Sequence, residues 1–170
     1  MNLYILRHGI ASAPGEDGLP KIMPDAERPL SAKGKQRLWG VTGAMRKMEI
    51  TFDAVVSSPL LRARQSAQIV TEALDLRRKL VLTDHLMPEG SPKSLIEQLT
   101  TLGPRSKDIL LVGHEPYLSK LMALLVADDT EATIDLRKGG LAKLEVEKLR
   151  HARCAVLAWL LTPKQMLLMK

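Results

Sequence analysis

Four short runs of unbroken apolar residues punctuate the chain, at positions 3–6, 54–56, 80–82 and 109–112. Continuous apolarity, rather than alternation, predicts strands covered on both faces, as in a parallel sheet. Helix-like stretches separate them. Ser31 predicts an N-cap for a helix running to about Met48. Ser58-Pro59 supplies an N-cap and an N1 proline for a second helix through about Leu74. Ser91-Pro92 opens a third to about Leu102, and Pro116 marks the start of a fourth ending near Ala127.

Strands alternating with helices imply right-handed parallel crossovers, hence an α/β sandwich. The tail reads differently. Positions 133–136, 142–146 and 155–161 are expected to be strands joined by short turns, including Gly139-Gly140, and to extend the sheet with an antiparallel edge. Residues 11–29 are rich in proline and lack periodicity, which predicts a long surface loop of a type often tied to function. No repeat, low-complexity segment or linker interrupts the chain. The expectation is therefore one domain over residues 1–170.

Composition narrows the function classes. Aromatic residues make up 3% of the chain, so the core must be aliphatic and base stacking on exposed rings is disfavoured. The formal charge of +6 favours an acidic substrate or partner. The basic residues are spread out, however, and the run Arg77-Arg78-Lys79 reads as a solvated helix end, so no nucleic-acid partner is expected. One cysteine, Cys154, leaves no intramolecular disulfide and suits a reducing cytoplasm; its apolar surroundings predict a buried structural role. The first residues lack a basic n-region and their apolar run is too short for a signal peptide, and no apolar stretch approaches the ~20 residues that cross a bilayer, so neither a signal peptide nor membrane association is expected.

Three of the apolar runs end in chemically notable residues. The first leads into Arg7-His8-Gly9, the second into Ser57-Ser58-Pro59 and then Arg62, and the fourth into Gly113-His114-Glu115-Pro116. Ligands of open parallel sheets bind at the carboxyl ends of the strands. The topology therefore draws two histidines and two arginines to one edge. Each guanidinium is a planar fork that grips two oxygens of a phosphate. An imidazole attacks phosphorus when one nitrogen is deprotonated and the other donates to a carbonyl. Such a set can transfer a phosphoryl group without a metal, because the reaction needs mainly positioning and charge stabilisation. Gly9 and Gly113, beside the histidines, would let the backbone approach a ligand.

Other chemistries lack their residues. His8, His85, His114 and His151 show no close metal-ligand spacing, and no metal or cofactor is expected. A P-loop, a Rossmann glycine fingerprint and a Gly-x-Ser-x-Gly elbow are all missing.

These motifs, in this order, resemble the histidine phosphatase superfamily, also called phosphoglycerate mutase-like. The first is Arg7-His8-Gly9, the second runs from Ser57 through Arg62 to Ala67, and the third is Gly113-His114-Glu115-Pro116. The small size, the stretch Arg28-Pro29-Leu30-Ser31-Ala32-Lys33-Gly34 and the connection Leu86-Met87-Pro88 resemble one branch, the phosphohistidine phosphatases of the SixA type. The resemblance implies a three-layer α/β/α sandwich around a mostly parallel sheet. It implies that His8 accepts the phosphoryl group, that Arg7 and Arg62 hold its oxygens, that His114 completes the pocket, and that Gly9 lies in the substrate-binding loop. The implied substrate is a phosphohistidine-bearing protein, such as a histidine phosphotransfer domain in signal transduction, and the pocket would hold a phosphate or sulfate ion. Many relatives that cleave esters use a carboxylate acid. Glu89 in Pro88-Glu89-Gly90 is the candidate here, with Glu16 and Asp17 as weaker ones. The alternatives left open are a small phosphoester phosphatase of the same superfamily and a non-catalytic phosphate-binding module. Ser57 and Ser58 are possible pocket contributors, Glu115 either orients His114 or sits in the first helical turn, and Arg64, His85 and His151 are assigned no role in the site.

Overall fold

The first strand, β1 (Asn2–Arg7), lies in the interior of the sheet, with every residue from Leu3 to Leu6 buried. A computed structural model describes residues 1–76, 79–102 and 106–169. The remaining elements follow as α1 (Ala32–Lys47), β2 (Ala54–Ser57), α2 (Leu61–Ala73), β3 (Leu80–Leu82), α3 (Pro92–Thr101), β4 (Asp108–Gly113), α4 (Tyr117–Ala127), β5 (Leu141–Val146), β6 (Ala155–Leu161) and α5 (Pro163–Leu167). The strands form one six-stranded sheet in the order β3-β2-β4-β1-β5-β6. The β1–β4, β2–β4 and β2–β3 pairs are parallel, whereas β5 and β6 join antiparallel, as the tail's short turns predict.

The strict two-residue alternation of β-strands sorts the apolar residues onto two faces. Leu3, Ile5, Val56, Ile109 and Leu111 pack with residues of α3 and α4 such as Leu95, Leu118 and Met122. Tyr4, Leu6, Val55, Leu110 and Val112 pack on the other face with Val41, Ala67, Val70 and Met166 from α1, α2 and α5. The result is the expected three-layer α/β/α sandwich. Tyr4 meets Phe52 and Trp159 edge-on on this second face, with ring centroids 5.1 and 6.0 Å apart.

Local signals fix several boundaries. Ser31 caps α1 by accepting from the Gly34 amide, and Ser91 caps α3 by accepting from Ser94, both as expected. Four expectations need correction. Helix α2 starts at Leu61 with no side-chain cap, because the Ser58 hydroxyl is drawn instead to His114. Residues 133–136 form no strand. Their carbonyls serve side chains, Ile134 O accepting from Ser119 and Leu136 O from Arg7, in place of a ladder. The edge strand β3 is half exposed, and so is β6, where Val156 is 65% exposed, because an edge has only one neighbour. Cys154 lies just before β6 and is half-buried rather than enclosed. The closing helix α5 carries a capping box, Thr162 with Gln165, and its Pro163 and Met166 are buried. Of the run Arg77-Arg78-Lys79, the first two residues lie outside the described ones, and Lys79 donates to the Phe52 carbonyl at 2.7 Å.

Candidate active site

Strand register brings the catalytic candidates together. Arg7 stands opposite Gly113, and Ser57 opposite Val112, so β1, β2 and β4 end at nearly one level. The next residues, His8, Ser58 and His114, leave the sheet side by side. His8 N donates to Gly113 O at 3.1 Å and Ser58 N to Val112 O at 3.0 Å, which carries the ladder one step past the strands. The His8 and His114 rings lie 5.0 Å apart, tilted by 52°.

Each imidazole has a defined partner. His8 Nδ1 lies 2.7 Å from the Gly9 carbonyl. A carbonyl only accepts, so Nδ1 carries the proton and neutral His8 keeps Nε2 unprotonated. His114 Nε2 lies 2.8 Å from Ser58 Oγ. Leu60 N also donates to that hydroxyl, at 3.3 Å, which leaves the Ser58 proton free to point at Nε2. Burial drives both rings toward neutrality. It lowers His8 to about 3, with the charges of His114, Arg62 and Arg7 adding to the effect against the opposing Gly9 hydrogen bond. It lowers His114 to about 4, helped by Arg62 and Arg7 and opposed by Asp25.

The two arginines are held by separate segments of the chain. Arg7 donates through Nη1 to Leu136 O at 2.9 Å. Arg62 is the second residue of α2 and is buried; its Nη1 and Nη2 donate to the main-chain oxygen and carboxylate of Asp25. Asp25 sits in a 3-10 turn (Asp25–Glu27) of the long loop. That loop is clasped in turn by Arg28, which donates to Ser12 O and to the Asp25 carboxylate. Sequence reasoning missed Asp25, because nothing in its neighbourhood marks a residue that will meet Arg62 across 37 positions. It also missed Ser66, which accepts from Gly9 N at 3.0 Å and donates to Arg62 O at 2.6 Å, tying the His8 loop to α2.

The remaining candidates separate from this group. A Cβ on Gly9 would strike Leu38 Cδ1 at 2.7 Å, so the absent side chain makes room for α1 packing, while the Gly9 carbonyl serves His8. Glu89 is exposed in the turn before α3, and among the described residues no hydrogen bond or ion pair links it to Arg7, His8, Arg62 or His114. Glu16 and Asp17 make local loop contacts, accepting from Ala13 N and the Ser12 hydroxyl. Ser57 is buried and donates to Ser58 O. Glu115 pairs with Ser119, not with His114, and burial raises its carboxyl above the ordinary range. Arg64 is exposed on α2, as its spacing from Arg62 requires.

Two polar atoms within this group are buried without a protein partner: Arg7 Nε and His114 Nδ1. Buried donors are rarely left unpaired unless water or a ligand completes them. Together with Arg62, they suit a tetrahedral oxyanion. A metal ion has no comparable set: among the described residues no three His, Cys, Asp or Glu side chains are grouped to hold one. Nor, among those residues, is any helix long and apolar enough to cross a membrane.

The profile of the histidine phosphatase superfamily (branch 1) matches residues 3–87. An uncharacterized protein of Picosynechococcus sp. is 32% identical over 146 residues, covering 85% of this chain and 84% of its own. Phosphohistidine phosphatase SixA of Escherichia coli is 26% identical over 133 residues, covering 76% of this chain and 77% of its own. Among solved structures, the protein histidine phosphatase SixA complexed with tungstate superposes with a TM-score of 0.80 at 22% identity, over 96% of this chain and 98% of that one. A putative alpha-ribazole-5'-P phosphatase of E. coli superposes with a TM-score of 0.69 at 23% identity, over 90% and 96%.

Proposed function

The chain belongs to the histidine phosphatase superfamily and is a phosphatase, and from that premise we propose that it hydrolyses phosphohistidine on a protein through a phospho-His8 intermediate, without a metal. The observation that carries this reading is the state of His8. The Gly9 carbonyl holds the Nδ1 proton, and burial beside two guanidinium groups keeps the ring neutral, so Nε2 has a free lone pair at physiological pH.

In the first step His8 Nε2 forms a bond to phosphorus and the P–N bond of the substrate breaks. The substrate imidazole, protonated on its other nitrogen, leaves as a neutral ring. The product, phospho-His8 with its proton on Nδ1, is the same chemical species as the substrate. Transfer between like species is close to balanced, and no acid is required to expel the leaving group. Water then attacks phosphorus, the P–Nε2 bond breaks, and inorganic phosphate departs with the water's proton passing to solvent. Arg62 and Arg7 neutralise the phosphoryl oxygens in both steps. His114 bears its proton on the buried Nδ1 and donates it to a third oxygen, with Ser58 fixing the ring.

The second reading, a small phosphoester phosphatase, draws support from the likeness to alpha-ribazole phosphatase folds. An alkoxide is a far poorer leaving group than imidazole, so that chemistry calls for an acid, and Glu89 on its exposed turn is the candidate. Phosphate release in the presence of EDTA, compared between a phosphohistidine phosphotransfer protein and a panel of phosphoesters, separates the two. The expected result is preference for the phosphoprotein, an acid-labile phosphoenzyme that the His8→Ala variant does not form, and unimpaired turnover by Glu89→Gln. Preference for one small ester, with turnover lost in Glu89→Gln, would establish the second reading instead. Tight phosphate binding without any turnover would point to the non-catalytic module.

A further inference from the structure

A cavity of about 490 Å³ opens directly beside the phosphate-binding residues, with Arg7 in its wall. Four more cations line it from three separate parts of the fold. Arg37 comes from α1, Arg137 and Lys138 from the segment before β5, and Lys164 from α5. Among the described residues, no acidic side chain lines it. Arg137 is paired with Asp135 at 2.6 Å, but among the described residues Arg37, Lys138 and Lys164 form no ion pair. Cations gathered without counter-charge repel one another in the free protein, and an anionic partner relieves that repulsion.

The cavity and the His8 site are also joined mechanically. The Leu136 carbonyl holds Arg7, and Gly139 N donates to the carbonyls of Arg7 and His8 at 3.0 and 3.1 Å. Arg137 and Lys138 lie between those two contacts, so a group resting on them lies next to the phosphoryl pocket. The basic surface continues past the cavity. A second depression of about 390 Å³ shares Arg37 and adds Lys33. A band of cations broader than one cavity exceeds what a single small molecule needs and suits a protein surface.

We propose that this band is a docking subsite for acidic side chains, Asp or Glu, that flank the phosphohistidine on the protein substrate. The proposal rests on the phosphohistidine reading above and names the partner's chemistry: a carboxylate-rich surface around the phosphorylated residue. Contacts of this kind at a solvent-exposed rim act mainly on association and lose strength with salt.

The test uses two synthetic phosphohistidine peptides, one flanked on both sides by glutamates and one by glutamines in the same places. Wild-type protein at low ionic strength is expected to show about tenfold higher kcat/KM for the glutamate peptide, through KM, with the preference shrinking as salt rises. In the Arg37→Glu/Lys164→Glu variant the preference should vanish while the glutamine peptide is still hydrolysed. Should that variant fail to melt cooperatively, Lys138→Gln and the salt series on wild type give the same reading. Equal efficiency on both peptides, or a preference that survives the charge changes, overturns the subsite and leaves the phosphohistidine reading standing. Turnover of neither peptide removes that reading and the proposal with it. Competition by pyrophosphate that depends on Arg37 and Lys164, with no advantage for the glutamate peptide, would assign the cavity to a second anion of a small ester and overturn the proposal.

Discussion

Asp25 occupies both terminal nitrogens of Arg62: its main-chain oxygen accepts from Nη1 at 2.7 Å and its Oδ2 from Nη2 at 2.8 Å. The guanidinium is buried while the Asp25 side chain is 61% exposed, so the acid reaches in from solvent to a cation that has nowhere else to turn. The main-chain contact orients Arg62 whatever the charge at position 25. The carboxylate contact is different, because it competes with a phosphate oxygen for Nη2.

Replacing Asp25 by Asn removes that competing charge and keeps the main-chain acceptor. Inorganic phosphate should then inhibit about fivefold more strongly, in keeping with about 1 kcal/mol for one charge contact near solvent. Product-inhibition constants measured for both proteins check this; an unchanged constant would mean that the carboxylate lies clear of the oxyanion.

Arg62 itself should tolerate no substitute. Arg62→Ala is expected to lower kcat/KM by about 100-fold or more, and Arg62→Lys by at least about tenfold, because a point charge cannot reproduce the fork. Steady-state kinetics on a phosphohistidine substrate supply the measurement, and a loss below about tenfold in the alanine variant would speak against a contact with the transferring group.

Ser58→Ala takes away the hydrogen-bond partner of His114 Nε2 in a buried setting. The cost should be about 1–2 kcal/mol of stability and a roughly tenfold fall in kcat, with KM little changed. Urea denaturation and kinetics on the same preparation separate the two effects.

The pH dependence of stability follows from the two histidines. His8 is pushed down to about 3 and His114 to about 4, from an ordinary value of 6.5. An unfolded chain therefore takes up protons on these rings as pH drops through about 6.5, while the folded chain refuses them until much lower. Folded-state stability is intact above that value and is lost as pH falls toward about 4. A decline on the order of 4 kcal/mol between pH 7.5 and 5 is expected in urea titrations, about 2 kcal/mol from each ring, and roughly half of it in His8→Asn.

Gly34→Ala should destabilise the protein by about 2 kcal/mol or more, despite alanine's better helix propensity of about 1 kcal/mol. A Cβ there would lie 2.1 Å from the Ile10 carbonyl oxygen, and backbone cannot yield as a side chain does. Thermal denaturation tests this, and a gain in melting temperature would show that α1 can shift away from the His8 loop.

Much of this protein is legible in its sequence. Unbroken apolar runs announced the inner strands, Ser31 and Ser91 announced their helices, and Arg7-His8-Gly9 with Gly113-His114 pointed to the family and to the chemistry proposed above, because these are local signals read over a few residues. Parallel pairing follows from element order alone, so even the convergence of His8 and His114 could be anticipated. What tertiary structure decided was which partner each polar group found. Ser58 carries the sequence mark of a helix cap, yet a buried imidazole 56 positions away claims its hydroxyl. Residues 133–136 alternate like a strand, yet their carbonyls are spent on Ser119 and Arg7. Asp25 bears no local mark at all, and the band from Lys33 to Lys164 is scattered along the chain. A hydrogen bond or charge pair depends on proximity in space, and burial makes the nearest satisfiable partner win over the nearest in sequence.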